Sequence, residues 1–507
     1  MNTFPEGMGD SLKNSQVIST RIFGNRFRAD QTMYEYLIEF LLVFTSAKDV
    51  DLQTGKMEFH KTDINKKMSY WIEPRIALRR FIFYDKARKN GSIKADEKAY
   101  KAMMHILLDK MEGISEENGR EYLESIQDLL HGYAVVIKKR AWCAQALLPI
   151  CPELILCGVM PNEKNRMKLV DWDNNPESVD TKFDLDKRNF LSRGGELYYL
   201  HLLQGLDNND EKRKKLEFLL NDLVGIQCKK ISKIASFVQE SWEEELRLNK
   251  DNLVKQLNLS FIPSEGYVEC EENSIDELIN YLSCKMHPIN RIDILAKGVM
   301  FQIMRMMSCC ISNYLGIERK KWIVDMRGSS TDTVKKMAAD GYRRIEDDFM
   351  TALNQMAREM PLENNCNEAD MMKKVRDAKT DSLDIFRSKG KELQCIIPAS
   401  GPFERFSLSE DIIRFLVLSL ISPQEKMTLN MFLVKLYEHY GIVIGPEEYR
   451  KSLNDESTIE TSLANSFGEN VSAFQNFLKA TGFLRELSDA TSIVVNPYTS
   501  ILEEGDE

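Results

Sequence analysis

Apolar residues recur at three- and four-residue spacing over most of the chain, the period of amphipathic helices rather than strands. Thr32 through Ser46 shows the pattern: Thr32 can cap the first turn, and Met33, Tyr36, Leu37 and Phe40 fall at helical spacing. A second helix is predicted from Glu73–Pro74 to Lys89, with proline tolerated in the first turn and Asn90–Gly91 as the stop signal. Helices are also predicted at Asp96–Met111 and Glu116–Gly132, whereas the apolar stretch Tyr133–Met160 is broken by Pro149 and Pro152. Residues 161–190 form a polar connector marked by Pro161, Asn174, Asn175 and Pro176. Helical pattern resumes at Glu196–Gln204, Asp210–Leu223 and Lys229–Leu257, then at 274–284, 290–315, 333–360 and 368–388.

The pattern changes at Ile396, where Pro398, Gly401 and Pro402 mark a boundary. Beyond it come helices at Ser409–Leu420, at Thr428–Tyr440 stopped by Gly441, and at Val471–Thr481 stopped by Gly482. Two short strands, Phe483–Glu486 and Ser492–Val495, follow. Three helices and a β-hairpin resemble a winged helix, although the link between the second and third helices is unusually long. The expected fold is therefore mainly α and multi-domain. A helical N-terminal domain (1–160) and a helical middle domain (161–395) precede a small winged-helix-like domain (396–507).

Composition agrees with long helices, since 25 glycines and 14 prolines in 507 residues fall below the usual share. No apolar run reaches the ~18 residues of a membrane span. Tyr36–Thr45 is cut by Glu39, Ile412–Ile421 by Arg414, and Val299–Leu315 contains Arg305, so all three read as core helices. The N-terminus lacks the pattern of a signal peptide. The ten cysteines are scattered and never spaced C-x-x-C, as expected of reduced, packed thiols. A cytoplasmic location with no membrane partner is expected.

The net charge of −10 excludes a uniformly basic surface, but the charge is unevenly laid out. Lys61 to Lys101 holds twelve basic and five acidic residues, with Tyr70, Trp71, Phe81, Phe83 and Tyr84 interleaved. Arg75, Arg79, Arg80, Lys86, Arg88 and Lys89 are the candidate nucleic-acid contacts there, Arg75, Arg79 and Lys86 lying near one helical face. The same stretch also fits a solvated face whose aromatics pack inward. Residues 401–507 hold eight basic and seventeen acidic residues, a balance that would repel a duplex and suits a protein partner.

Catalytic signatures are sparse. The sequence contains no phosphate-binding G-x-x-x-x-G-K-[ST], no H-E-x-x-H, no G-x-S-x-G and no kinase set. No metal or other cofactor is expected. Cys270, Cys284 and His287 have partial ligand spacing, short of the four ligands of tetrahedral zinc. Asp171, Asp180 and Lys182 resemble the PD-(D/E)xK nuclease arrangement, in which two carboxylates hold Mg²⁺ and a lysine balances charge. Arg193, Gly194 and Gly195, ahead of a helix, form an anion-binding candidate; the alternative is a tight turn allowing close helix packing. Arg327-Gly328-Ser329-Ser330 is a second candidate of that kind.

The string from Asn189 to Leu202 (NFLSRGGELYYLHL), together with the 403–498 module, resembles large subunits of bacterial restriction and anti-phage defence gene clusters. That resemblance implies a bacterial, cytoplasmic protein working beside an ATPase, nuclease or methyltransferase. The resulting expectation is a non-catalytic subunit with two contacts. DNA or RNA would be bound through the basic N-terminal surface, and a protein partner through the C-terminal domain. The other two readings are the Mg²⁺-dependent nuclease and a pure protein scaffold.

Overall fold

A computed structural model describes residues 14–502, apart from 26, 29, 50–53, 62–67, 85–92, 136, 138–139, 156–159, 162–179, 181–182, 185–192, 208, 249–253, 261–267, 329–332, 360–367, 454–459 and 489–490. The chain is mainly helical, with short strands in small sheets. The first described elements are helices α1 (Asn14–Phe23) and α2 (Met33–Thr45) and strand β1 (Met68–Ile72). Helices α3 (Ile76–Ile82), α4 (Lys94–Asp109) and α5 (Glu116–His131) follow. Of the helix predicted at 73–89, α3 covers Ile76–Ile82 and is capped at Phe83, a strand precedes it, and residues 85–89 lie outside the described residues. The start of α2 is fixed by a capping box, in which the Thr32 hydroxyl accepts from the Glu35 N–H and the Glu35 carboxylate accepts from the Thr32 N–H at 2.7 Å.

The middle of the chain pairs β2 (Met160–Pro161) with β3 (Phe183–Asp184), then forms α6 (Gly194–Gly205) and α7 (Asp210–Asn221). A π-helical turn at Asp222–Ile226 leads into α8 (Lys229–Glu245). Strand β4 (Lys255–Ser260) lies antiparallel to β1, with Tyr70 opposite Leu257. Helices α9 (Val268–Ser283) and α10 (Pro288–Leu315) follow, then β5 (Trp322–Ile323), α11 (Thr333–Glu359), α12 (Glu368–Thr380) and α13 (Leu383–Glu392).

Helix α10 is the axis of the fold. Pro288 occupies its first turn, and Gly316 ends it in the left-handed conformation at φ 64°. It packs against α1, α2, α6, α11 and α13. Among the described residues it is the one helix long and apolar enough to cross a membrane, and its apolar window is 94% buried by the rest of the protein. The arginines that interrupt its apolar run are matched internally. Arg291 donates to Asp222 at 2.8 Å and to the Leu282 carbonyl at 2.7 Å. Arg305 donates to Gln302 at 2.6 Å, lies 3.5 Å from Glu277 and stacks on Tyr440.

The C-terminal region contains β6 (Ile396–Ile397), β7 (Arg405–Phe406), α14 (Glu410–Leu420), β8 (Lys426–Thr428) and α15 (Leu429–Tyr440). It continues with β9 (Ile442–Val443), α16 (Pro446–Ser452), α17 (Thr461–Ala480), β10 (Leu484–Ser488) and β11 (Thr491–Val495). Strands β10, β11 and β8 form a three-stranded antiparallel sheet in that order. The third predicted helix starts at Thr461, and α16 fills part of the long link before it. The Pro398–Pro402 boundary marks a change of sequence pattern, but the apolar core does not stop there. One contiguous cluster includes Ile18, Leu295, Phe415 and Val494. Helix α14 packs on α9 and α10, and a Cβ on Gly298 of α10 would sit 2.2 Å from the Phe415 ring. Buried Asn470 adds a polar tie, donating to the Val324 and Ile444 carbonyls and accepting from the Met326 N–H at 2.8 Å.

Candidate nucleic-acid interface

The basic stretch predicted at 61–101 is largely spent on internal pairing. Arg79 and Arg80 are fully buried, which corrects their assignment as phosphate contacts. Arg79 lies on the face of α3 turned toward residues 142–145, and its guanidinium donates to the Cys143 carbonyl at 2.6 Å and the Gln145 carbonyl at 3.1 Å. Arg80 is paired with Asp180 at 2.9 Å and Asp96 at 3.5 Å, and those two carboxylates hold it firmly charged despite its burial. Arg75 is half-buried, donates to the Pro152 carbonyl at 2.6 Å and lies 3.6 Å from Glu73. Lys86, Arg88 and Lys89 lie outside the described residues. The aromatics of this stretch pack inward: Tyr70, Phe81 and Phe83 are all buried.

The two glycines that open α6 serve close packing. A Cβ on Gly195 would lie 2.1 Å from the Tyr36 carbonyl oxygen, and one on Gly194 2.4 Å from the Tyr36 ring. The anion at this helix start is the protein's own: the Gly195 N–H donates to the Glu39 carboxylate at 2.8 Å. Arg193 is likewise engaged, with Glu196 at 2.9 Å and the Asn258 carbonyl at 2.8 Å, while Tyr70 donates to the other Glu196 oxygen at 2.5 Å. The place assigned to an external anion is therefore occupied by side chains of the fold. Arg327 and Gly328 repeat the theme, since both backbone N–H groups donate to Asp325. Ser329 and Ser330 lie outside the described residues.

Asp180 does not have the surroundings of a metal ligand. One oxygen faces Arg80 at 2.9 Å and the other accepts from the Trp242 indole at 2.7 Å, all in the interior. Its nuclease partners Asp171 and Lys182 lie outside the described residues. Cys284 is buried beside the Asn496 amide at 3.3 Å, and burial pushes its thiol up to about 11. Among the described residues no group of three His, Cys, Asp or Glu side chains is placed to hold a metal ion.

A cationic surface stands elsewhere, on α7 and α8. Between Lys212 and Lys233 the sequence holds seven basic residues against Glu217 and Asp222. Both acids are used internally: Glu217 accepts from the Phe59 N–H at 2.8 Å, and Asp222 is buried against Arg291. Lys212 and Arg213 are also engaged, with Asp276 at 2.8 Å and the His60 carbonyl at 2.8 Å. Lys214, Lys215, Lys229, Lys230 and Lys233 remain exposed, and none forms an ion pair among the described residues. Elsewhere surface lysines do pair, as Lys101 does with Glu97 and Lys110 with Glu244.

Three exposed apolar side chains are interleaved with these lysines: Phe218 at 47%, Ile226 at 52% and Phe237 at 38% exposure. Lys214, Lys215 and Phe218 are three and four residues apart, as are Ile226, Lys229 and Lys230, and then Lys230, Lys233 and Phe237. The opposite faces are held by Leu216, Leu219 and Leu220 on α7 and by Ala235, Val238 and Trp242 on α8, all buried. The charge count over 212–233 is the sequence signal that points to this surface. Two inward-facing acids and the π-helical turn dilute it. No family model, curated protein or solved structure matches the chain.

Proposed function

We propose that this chain is a non-catalytic, nucleic-acid-associated subunit whose polyanion contact is the lysine row of α7 and α8. The observation that carries the proposal is that row of five exposed lysines, unpaired among the described residues, on a chain whose net charge is −10. Phosphate neutralisation with counterion release supplies most of the affinity of such contacts, and lysines not already engaged in an ion pair have the most to contribute. The basic region predicted around Arg79 and Arg80 is not part of this reading, because both side chains are consumed in the core. The nuclease reading is set aside as well, since both Asp180 oxygens are occupied.

The C-terminal region takes the role of protein contact in this proposal, as a winged helix in a cytoplasmic assembly of the restriction or anti-phage type. The order α14, β8, α15, α17, β10, β11 and the sheet order β10-β11-β8 support the winged-helix assignment. The helix that would read DNA, α17, offers little positive charge: Lys479 is paired with Glu486 at 2.8 Å, and Glu469 is held by Arg327. With seventeen acidic residues against eight, the region suits a basic protein surface better than a phosphate backbone.

Fluorescence anisotropy of the full chain with labelled DNA across a salt series tests the proposal. Affinity should fall steeply with salt. For duplex, Lys229→Glu with Lys230→Glu and Lys233→Glu should lower the logarithmic slope by roughly 0.9 for each phosphate that is no longer neutralised. Traces that stay flat at every salt concentration would overturn the reading.

A further inference from the structure

We infer that the α7–α8 row takes single-stranded nucleic acid in preference to duplex, with bases stacked on Phe218 and Phe237. This inference rests on the polyanion reading above and specifies its ligand. A duplex offers this surface phosphates but keeps its base faces stacked inside, so phenyl rings beside the lysines gain little from it. A single strand offers both groups, and stacking on an aromatic ring is tolerant of base identity. Among the described residues the exposed phenylalanines are Phe218, Phe237 and Phe403, and two of the three lie on this row.

Each ring sits one helical turn from lysines that form no ion pair among the described residues, Phe218 beside Lys214 and Lys215, and Phe237 beside Lys233. Exposed apolar groups without such lysines do not form a site of this kind. Tyr122 and Leu129 of α5 are also exposed, but on a helix that presents Glu117, Glu121, Glu124 and Asp128, where a phosphate would be repelled. Ile226 lies between the two lysine groups, next to the break at Cys228, and adds an apolar contact midway. Phe218 and Phe237 are nineteen residues apart, about 28 Å at the helical rise of 1.5 Å per residue, a span that an extended single strand covers.

The test uses the full chain and two labelled probes, an oligo(dT) of about 30 nucleotides and a mixed-sequence duplex of about the same length. The single strand should bind at least about tenfold more tightly. Phe218→Leu with Phe237→Leu keeps the apolar bulk but removes the ring faces; it should weaken single-strand binding by about tenfold or more and leave the duplex and the salt slope unchanged. Phe218→Trp with Phe237→Trp should restore the single-strand affinity.

Equal or tighter duplex binding, with the leucine variant silent, overturns the inference while the lysine reading stands. Absence of salt-sensitive binding to both probes removes the lysine reading and the inference together. Phenylalanine-dependent binding to phosphatidylserine vesicles without oligonucleotide binding assigns the row to a lipid surface and also overturns it.

Discussion

Replacing Gly195 with alanine places one methyl group into the close contact between α2 and α6. The new Cβ would lie 2.1 Å from the Tyr36 carbonyl oxygen, 2.5 Å from the Glu39 Cβ and 2.8 Å from the Phe40 nitrogen. Two of those atoms belong to the backbone of α2, which cannot swing aside as a side chain would, so α2 and α6 must separate by about 1 Å or more. Such overpacking costs about 1–3 kcal/mol. The separation also stretches the 2.8 Å bond from the Gly195 N–H to the Glu39 carboxylate beyond hydrogen-bonding range, and losing a charge-assisted bond adds about 1.5–3 kcal/mol. Against this, alanine removes unfolded-state freedom worth about 0.4–1 kcal/mol. The net expectation is a loss of about 1.5–5.5 kcal/mol. Gly468 of α17 is the matched control: nothing lies within 4 Å of its Cβ position, so Gly468→Ala should stabilise by about 0.5–1 kcal/mol. Equilibrium urea denaturation followed by tryptophan fluorescence, with buried Trp242 and Trp322 as reporters, measures both variants. A Gly195→Ala protein within about 0.5 kcal/mol of the parent would refute the packing argument.

Two further expectations concern charge in the interior. Burial first, and then the Lys48 charge, push His60 down to about 4, while burial and Arg305 push His201 down to about 3. The unfolded chain protonates each near pH 6.5 while the folded chain does not, so stability should fall as pH drops from 6.5 toward 4. At pH 5 this amounts to about 2 kcal/mol per histidine. Urea midpoints at pH 7 and pH 5 check it, and a His201→Gln protein with the parent's pH dependence would contradict it. Arg80→Met should destabilise by about 3–5 kcal/mol, because Asp96 and Asp180 lose their shared buried guanidinium. Circular dichroism and urea titration would show this, and Asp180→Asn should recover part of the loss. Unchanged stability with weakened DNA binding would instead return Arg80 to the surface.

The long periodic segments were legible from spacing alone, as α2, α4, α5, α10 and α11 all lie close to their predicted spans. The strand pair β1–β4 was not, because its partners stand nearly two hundred residues apart and β4 begins inside a stretch that reads as helix. A local pattern carries no information about so distant a partner. The same limit governs the charges. Arg79 and Arg80 lie in the apolar string ALRRFIF, where their count suggests a basic surface, but their fate is set by Cys143, Gln145, Asp96 and Asp180. The two glycines before α6 could be read as an anion cradle or a packing device. Only the approach of Tyr36 and Glu39 decides for packing. The lysine row lay in plain view as composition, but its meaning depends on Glu217 and Asp222 being turned away from it.

The packing of Phe415 on Gly298 has a consequence for how this protein can be divided. A fragment ending near residue 395 would lack α14 and leave the Gly298 side of α10 bare, so it should aggregate rather than behave as a smaller version of the whole. The last hundred residues are therefore a poor unit for genetic shuffling: a lineage that exchanged them would have to exchange the matching surface of α10 as well. In hydrogen exchange, the amides of α10 and α14 should open together, in one cooperative event.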